Sequence, residues 1–526
     1  MKPARLLIGV VMTLATAAYG HFAFIVLQAG GRVAELMISE DLSPDSGVSL
    51  AILQGTKLSL RDGSGKETPL TLVKGENTYT VETAGKGTRI VHGFADLGIT
   101  PGGRSPKPYL LLYYPKTVVG SAFSDKNTLG GDLPVELVPA GKAGEVAFLL
   151  LVKGKALAGA EVTVILPSGT QKKVKTNELG VTESFTESGR YGAWARFWEP
   201  GTGEREGKKY EELRHYATLV FDAYVKAPQI SSMPEATSSF GAVADKEWVY
   251  VYGGHISPTH SYSTESVSGK FQRMNLVSRQ WESLPGGPGL QGLNLAIYGG
   301  KVYRVGGMQP RNAPGEKQAI YSVADVARFD PGTKTWEALP PLPENRSSHD
   351  LAVIDGKLIV TGGWILKGPD GDAWTKSIYT LDLAASDSKW KSSSQPFERR
   401  ALITAVHDGK MYVMGGITRA GAVSADVDVY DPKADTWSKG SPLPGTATDN
   451  FAPAACDHQG RLFVSLADGT IYRLNDKSGR WLEAGVGSPR LAHRMVSAGD
   501  SILVLGGAEK GKNLNVVEAV KIGSGS

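Results

Sequence analysis

One short pattern recurs through the second half of the chain and narrows what that half can fold into: alternating apolar residues that close on paired glycines. It reads WVYVYGG at 248–254, KVYRVGG at 301–307, KLIVTGG at 357–363, KMYVMGG at 410–416 and SILVLGG at 501–507. The first glycines fall at 253, 306, 362, 415 and 506, so the intervals are 53, 56 and 53 residues followed by 91, which is nearly two repeats. RLFVSLAD at 461–468 sits inside the long interval without the glycines, which makes six units with one eroded. A period of this length is the mark of a repeat architecture in which each unit buries its faces against its neighbours.

Each unit before the last carries a tryptophan after the strand, at Trp281, Trp336, Trp390, Trp437 and Trp481, in turns such as DPGTKTWEALP. Upstream of the glycines lies another apolar strand, as in HDLAVIDGKLIVTGG, where Asp355-Gly356 is a hairpin turn signal. One repeat therefore supplies four short strands. A twisted four-stranded sheet is stabilised by packing radially around an axis. The glycines allow close backbone approach near that axis, and the tryptophan fills the gap between adjacent sheets. These residues closely resemble kelch repeats over about 228–522, and the resemblance implies a six-bladed β-propeller. The last unit ends in NVVEAVKIGSGS with no Trp-bearing strand, so DAYVKAPQI at 222–230 is expected to donate the missing outer strand of blade six. Such a clasp removes free sheet edges.

The chain opens MKPARLLIGVVMTLATAAYG: Lys2 and Arg5 precede an apolar stretch from Leu6 to Ala18 and a small-residue site at Ala18-Tyr19-Gly20. This reads as a secretory signal over 1–20, so the expected location is secreted or periplasmic, with His21 leading the mature chain. The apolar stretch is too short to span a bilayer and no later segment qualifies.

Between these features the pattern is strand and turn, read as a β-domain over 21–130 and a second over 131–226. In the second, GKALAGA at 154–160, the turn at Asn177–Gly180 and Gly189-Arg190-Tyr191 resemble a transthyretin-like or carboxypeptidase-regulatory β-sandwich. Residues 21–226 together are similar to a family of exported bacterial domains associated with nickel uptake, through HFAFIV at 21–26 and RHYATLVF at 214–221. The fold class expected is all-β, two sandwich-like domains followed by a six-bladed propeller over 227–526.

The family resemblance turns attention to histidine. A terminal histidine offers an α-amine and Nδ1 in one chelate ring, and further imidazoles complete a nitrogen-rich set suited to copper(II) or nickel(II). Outside the propeller the histidines are His21, His92 and His215, and these are the candidate metal ligands. The competing reading for His92 and His215 is a half-buried strand histidine with hydrogen-bond partners.

In the propeller, residues between the Trp strand of one repeat and the first strand of the next should line one mouth of the axis. They are Arg346 and His349 in ENRSSHD, Arg399 and Arg400 in FERRAL, and Arg490 and His493, followed by Arg494, in SPRLAHRM. Converging guanidiniums would suit a carboxylate. A structural role for arginine and histidine at this repeat position is the simpler reading. Net charge is +4, from 57 basic and 53 acidic residues that are interspersed, which leaves no nucleic-acid footprint. A single cysteine, Cys456, excludes a disulfide framework. The function expected is an exported binding protein whose propeller engages a protein or carbohydrate. The alternative is a mutarotase-like enzyme acting on a small carbohydrate or carboxylated sugar at the mouth.

Overall fold

The computed structural model describes residues 21–521 apart from 86, 101–106, 132, 386 and 446. The signal sequence expected at 1–20 lies outside the described residues. Strands and turns with a few 3-10 segments account for the described regular structure, so the all-β expectation holds. The chain forms two compact units, one built mainly from residues before Ala223 and the other mainly from Ala223 onward.

The first unit contains a small sheet ordered Phe22–Leu27, Val33–Ser39, Tyr79–Glu82, Val73–Lys74. A three-stranded sheet joins Lys155–Ala156, Glu145–Val152 and Glu136–Lys142. Both sandwich-like halves use one eight-stranded sheet, because Lys208–Ala223 pairs in parallel with Tyr109–Val119. The boundary expected at 130/131 thus falls within one compact unit rather than between two separate sheets. The leading strand, FAFIVL, is buried at every position, as a continuous apolar run demands when both faces are covered. Phe22 stacks on Trp194 at 4.1 Å between ring centroids, and Tyr113 stacks on Tyr216 at 5.1 Å. Phe148, Tyr191 and Phe221 form a second aromatic core.

Together with three two-stranded sheets, the second unit holds six antiparallel blades built on four strands each, a meander in the first five. Their first strands are Gly241–Ala244, Leu295–Tyr298, Ser347–Ile354, Ile403–His407, Ala454–His458 and Arg494–Ala498. In blade three the second strand, Lys357–Leu366, runs on past its glycines and pairs with an additional short strand, Asp372–Trp374. The paired glycines all adopt positive φ, as at Gly362 (67°) and Gly363 (87°), a conformation that side chains disfavour.

Two circumferential bond systems hold the blades together. On the outside, indole N–H groups donate to the chain at or just after the end of the outer strand of the preceding blade: Trp336 to the Pro285 carbonyl at 2.8 Å, Trp390 to Pro340 at 2.9 Å, Trp437 to Ser394 at 3.0 Å and Trp481 to Ser441 at 3.1 Å. Trp281 of blade one donates to Ser231 Oγ at 3.2 Å. At the axis, Ser239, Gly292, Ser348, Ala401, Ala452 and Ala492 all have φ between 47° and 63°. Each N–H donates to the carbonyl of the residue at the same place in the preceding blade, at 2.7–3.2 Å, and the six bonds close a circle.

The clasp exists, displaced from the expected segment. The outer strand of blade six is Gln229–Ser232, antiparallel to Val516–Lys521. Within 222–230, Ala227 instead donates its N–H to Val486 of blade five at 2.8 Å. Pro228 follows, and because it has no N–H to give a ladder it separates the two pairings.

Candidate functional site

The axial circle is the floor of the mouth expected from sequence. The residue before each circle member faces the end of the blade where the second strand meets the third, and the residue after it lies beside the start of the first strand. This register sorts the predicted side chains into three groups.

Arg346, Arg399 and Arg490 stand two residues before Ser348, Ala401 and Ala492 and are buried, at 0%, 2% and 1% exposure. Arg399 donates to the Gly415 carbonyl at 3.0 Å and the Asp426 carbonyl at 2.8 Å and pairs with buried Asp428. Arg490 donates to the Gly506 carbonyl at 3.2 Å and pairs with Glu518 at 2.6 Å. Arg346 donates to the Ser377 carbonyl at 2.8 Å and Thr375 Oγ1 at 2.9 Å and pairs with Glu344. Each guanidinium is held by its own blade, so the three do not converge. A buried cation needs such partners, because desolvation costs several kcal/mol.

His349 and His493 each follow a circle residue and are 2% exposed. They line a cavity of about 410 Å³, part of it open solvent, together with Ser239, Pro453 and Arg494. Burial, reinforced by Arg346 for one and Arg490 for the other, pushes both imidazoles down to about 3, so they are neutral. His493 Nε2 lies 3.0 Å from Ser465 Oγ. Arg494, one residue further, crosses the axis: it donates to the Phe240 carbonyl at 2.7 Å and the Leu293 carbonyl at 2.6 Å, with Nη1 3.8 Å from Asp350 Oδ1. Asp350 accepts from the Thr404 N–H at 2.6 Å and has its acidity weakened by burial.

Arg400 alone of the predicted mouth arginines keeps its donors. Its strand, Arg399–Arg400, pairs with Ile417–Thr418, and strand alternation sends Arg399 into the blade and its neighbour to the other side. The Arg400 guanidinium lies over Trp364, 4.0 Å from the ring centroid, and 5.9 Å from that of Trp374. Sequence reasoning missed both tryptophans. The register held a signal, since Trp364 directly follows Gly362-Gly363 and therefore sits at the mouth.

In the first unit the three histidines have separate partners. His21 contacts Asp45 through Nε2 and Glu40 through Nδ1 at 3.4 Å. His92 Nε2 is 3.0 Å from Glu67 Oε2. His215 lies 3.0 Å from the Tyr114 hydroxyl through Nδ1 and 3.3 Å from Glu199 through Nε2, and burial lowers its basicity. Among the described residues no group of three or more histidine, cysteine, aspartate or glutamate side chains is placed to hold a metal ion.

The model of the Kelch motif matches residues 404–444, and that of the strictosidine synthase-like N-terminal family matches 454–474, within the eroded fifth unit. Kelch-like protein 35 of Mus musculus is 27% identical over 243 residues, 45% of this chain and 37% of that protein. Beta-scruin of Limulus polyphemus is 24% identical over 243 residues, 42% of this chain and 25% of that protein. The matched region spans roughly a third or less of the length of these curated relatives. The solved structure of YjhT is 16% identical, covers 56% of this chain and 97% of its own, and superposes with a TM-score of 0.45. With five phased Gly-Gly pairs, interlocking tryptophans and the matches to the Kelch motif and to kelch proteins, the chain carries a kelch-repeat domain, folded as a six-bladed β-propeller.

Proposed function

We propose that this protein is an exported binding module whose propeller engages a protein partner through the mouth at which the second strands meet the third. The observation that carries this reading is the division of labour among the mouth residues. Arg346, Arg399 and Arg490 are engaged in buried ion pairs, the imidazoles of His349 and His493 are held neutral inside the channel, and Arg400 presents its donors beside two tryptophans. Tryptophan and arginine on one patch are the residue types that anchor protein interfaces. The kelch relatives support a role in recognition. The apolar leader with Lys2 and Arg5 supports export.

The test is site-specific photo-crosslinking of the full chain in its source cells. A photoreactive residue at position 374, on the mouth, should give a discrete protein adduct that untagged chain competes away. The same residue at position 409, in the turn between first and second strands at the other end of blade four, should give none. Adducts to glycan alone, or equal protein adducts from both positions, would overturn the reading.

A further inference from the structure

The six residues that precede the axial circle are Ser238, Gln291, Ser347, Arg400, Phe451 and Leu491. One of the six is charged. The Arg400 guanidinium makes no hydrogen bond and no ion pair among the described residues, and its Nε is buried without a partner. The groups whose charge it feels are the Tyr262 hydroxyl and Asp372, and Asp372 is exposed and does not close to ion-pair distance. A partly buried cation without an acceptor is a costly arrangement. It persists here because a guanidinium is weakly hydrated and stacks on aromatic faces.

The stacking surface is itself a local construction. Trp364 and Trp374 are direct cross-strand partners in the additional hairpin of blade three, closed by a 3-10 turn at Gly368–Asp370. Their ring centroids are 5.9 Å apart at an interplanar angle of 57°. Trp364 Nε1 is also buried and unpartnered. Two neighbouring side chains thus hold unsatisfied donors, and a buried donor left unpaired is costly. Both of those atoms are enclosed, so an outside ligand meets the remaining nitrogens of the half-buried Arg400 guanidinium, whose planar fork matches a carboxylate bidentately.

We infer that Arg400, seated on Trp364 and Trp374, is the receptor for a carboxylate side chain of an acidic peptide segment in the partner protein, an inference that rests on the protein-binding reading above. The patch favours a peptide over a sugar. The circle beside it presents serine, glycine and alanine whose backbone N–H groups are already bonded around the axis, which leaves few groups to read a ring of hydroxyls.

The experiment titrates the full chain, followed by tryptophan fluorescence, with an acetylated and amidated octapeptide of alternating glycine and glutamate. Its glutamine twin and oligogalacturonate are titrated in parallel. The acidic peptide should bind saturably and at least tenfold more tightly than the twin. Arg400→Gln should weaken that binding at least tenfold with an unchanged melting temperature, and Arg400→Lys should recover part of it. Lys433→Gln, which removes the same charge from an exposed turn at the other end of blade four, should leave binding unchanged. Trp364→Phe, which keeps an aromatic face under the guanidinium, should weaken binding less than Arg400→Gln. Absence of saturable peptide binding, equal binding of the twin, or wild-type affinity in Arg400→Gln would overturn the inference. Protein adducts from position 374 that persist unchanged in Arg400→Gln would overturn it while leaving the protein-binding reading intact. Binding of oligogalacturonate in place of the peptide would overturn both.

Discussion

The backbone N–H of Ser239 donates to the carbonyl of Ala492 at 2.9 Å and joins the first blade to the last at the axis. Five equivalent bonds complete the circle, and all six residues pay for it with positive φ. Closure at the centre is therefore a backbone property that side-chain chemistry tolerates rather than creates.

Substitutions at Ala401 should separate these contributions. Ala401→Pro removes the N–H that bonds Ser348 and imposes φ near −65° where the chain needs 52°, so a loss of about 3 kcal/mol or more is expected. Ala401→Gly relieves about 1–2 kcal/mol of left-handed strain against an entropic penalty of about 0.5–1 kcal/mol. The net change should stay within about 1 kcal/mol. Urea denaturation of the two variants beside the parent measures both.

The Arg399–Asp428 pair is 2% and 1% exposed. Asp428→Asn should destabilise by about 3–5 kcal/mol, because it strands buried Arg399, and Arg399→Gln should cost less, because Asp428 keeps Lys439 at 2.9 Å. The double change, Arg399→Gln with Asp428→Asn, should cost less than the sum of the single losses, since contacting residues are not additive. A double-mutant cycle by denaturant melts checks this.

His407 of blade four bridges two carboxylates of blade five, Nδ1 to Asp457 Oδ2 at 2.8 Å and Nε2 to Asp476 Oδ1 at 3.0 Å. Burial opposes its charge, and the hydrogen bonds it donates to Asp457 and then to Asp476 outweigh burial, so its pKa is raised. A raised folded value means that the latch contributes fully below the ordinary histidine value of about 6.5. The contribution is lost as pH rises through the raised value. Stability measured between pH 5.5 and 8.5 should show this decline in the parent, and His407→Gln should flatten it.

His349 and His493 work in the opposite direction. Their folded values near 3 mean that they favour the native state above about pH 6.5, and that this contribution falls away as pH drops toward the folded values. His349→Leu should reduce the slope of stability against pH between 6.5 and 3. An unchanged acid limb would show that this imidazole is not held neutral by burial.

The clasp offers a last test. Ser231 pairs with Val517 in the ladder and accepts the Trp281 indole at 3.2 Å. Ser231→Ala should cost about 1 kcal/mol through the lost hydrogen bond. Ser231→Pro should cost more, since it also breaks the outer ladder of blade six. Thermal melts with Trp281 emission as a local reporter distinguish the two.

Some of this architecture is written in local pattern. Gly-Gly spacing and phased tryptophans announce six four-stranded units because strand alternation, positive φ and bulky inter-sheet packing each require particular residue types at particular intervals. The eroded unit is still legible from RLFVSLAD, since a buried strand needs its apolar run more than its glycines. The histidine readings fared differently: His92 and His215 are recognisable as strand residues and His21 as the residue leading a strand, yet their partners Asp45, Glu67 and Glu199 come from elsewhere in the sequence, and local pattern carries no distance between strands.

Arg399 and Arg400 show the same limit most clearly. By itself the sequence determined that two adjacent arginines stand at the entrance to blade four. The tertiary structure decided that one is neutralised inside the blade by Asp428 while the other rests on tryptophans contributed by blade three. The physical reason is that an arginine's role depends on what carboxylate or aromatic ring the fold brings within about 4–6 Å of it, and those neighbours are set by packing between blades rather than by adjacency along the chain.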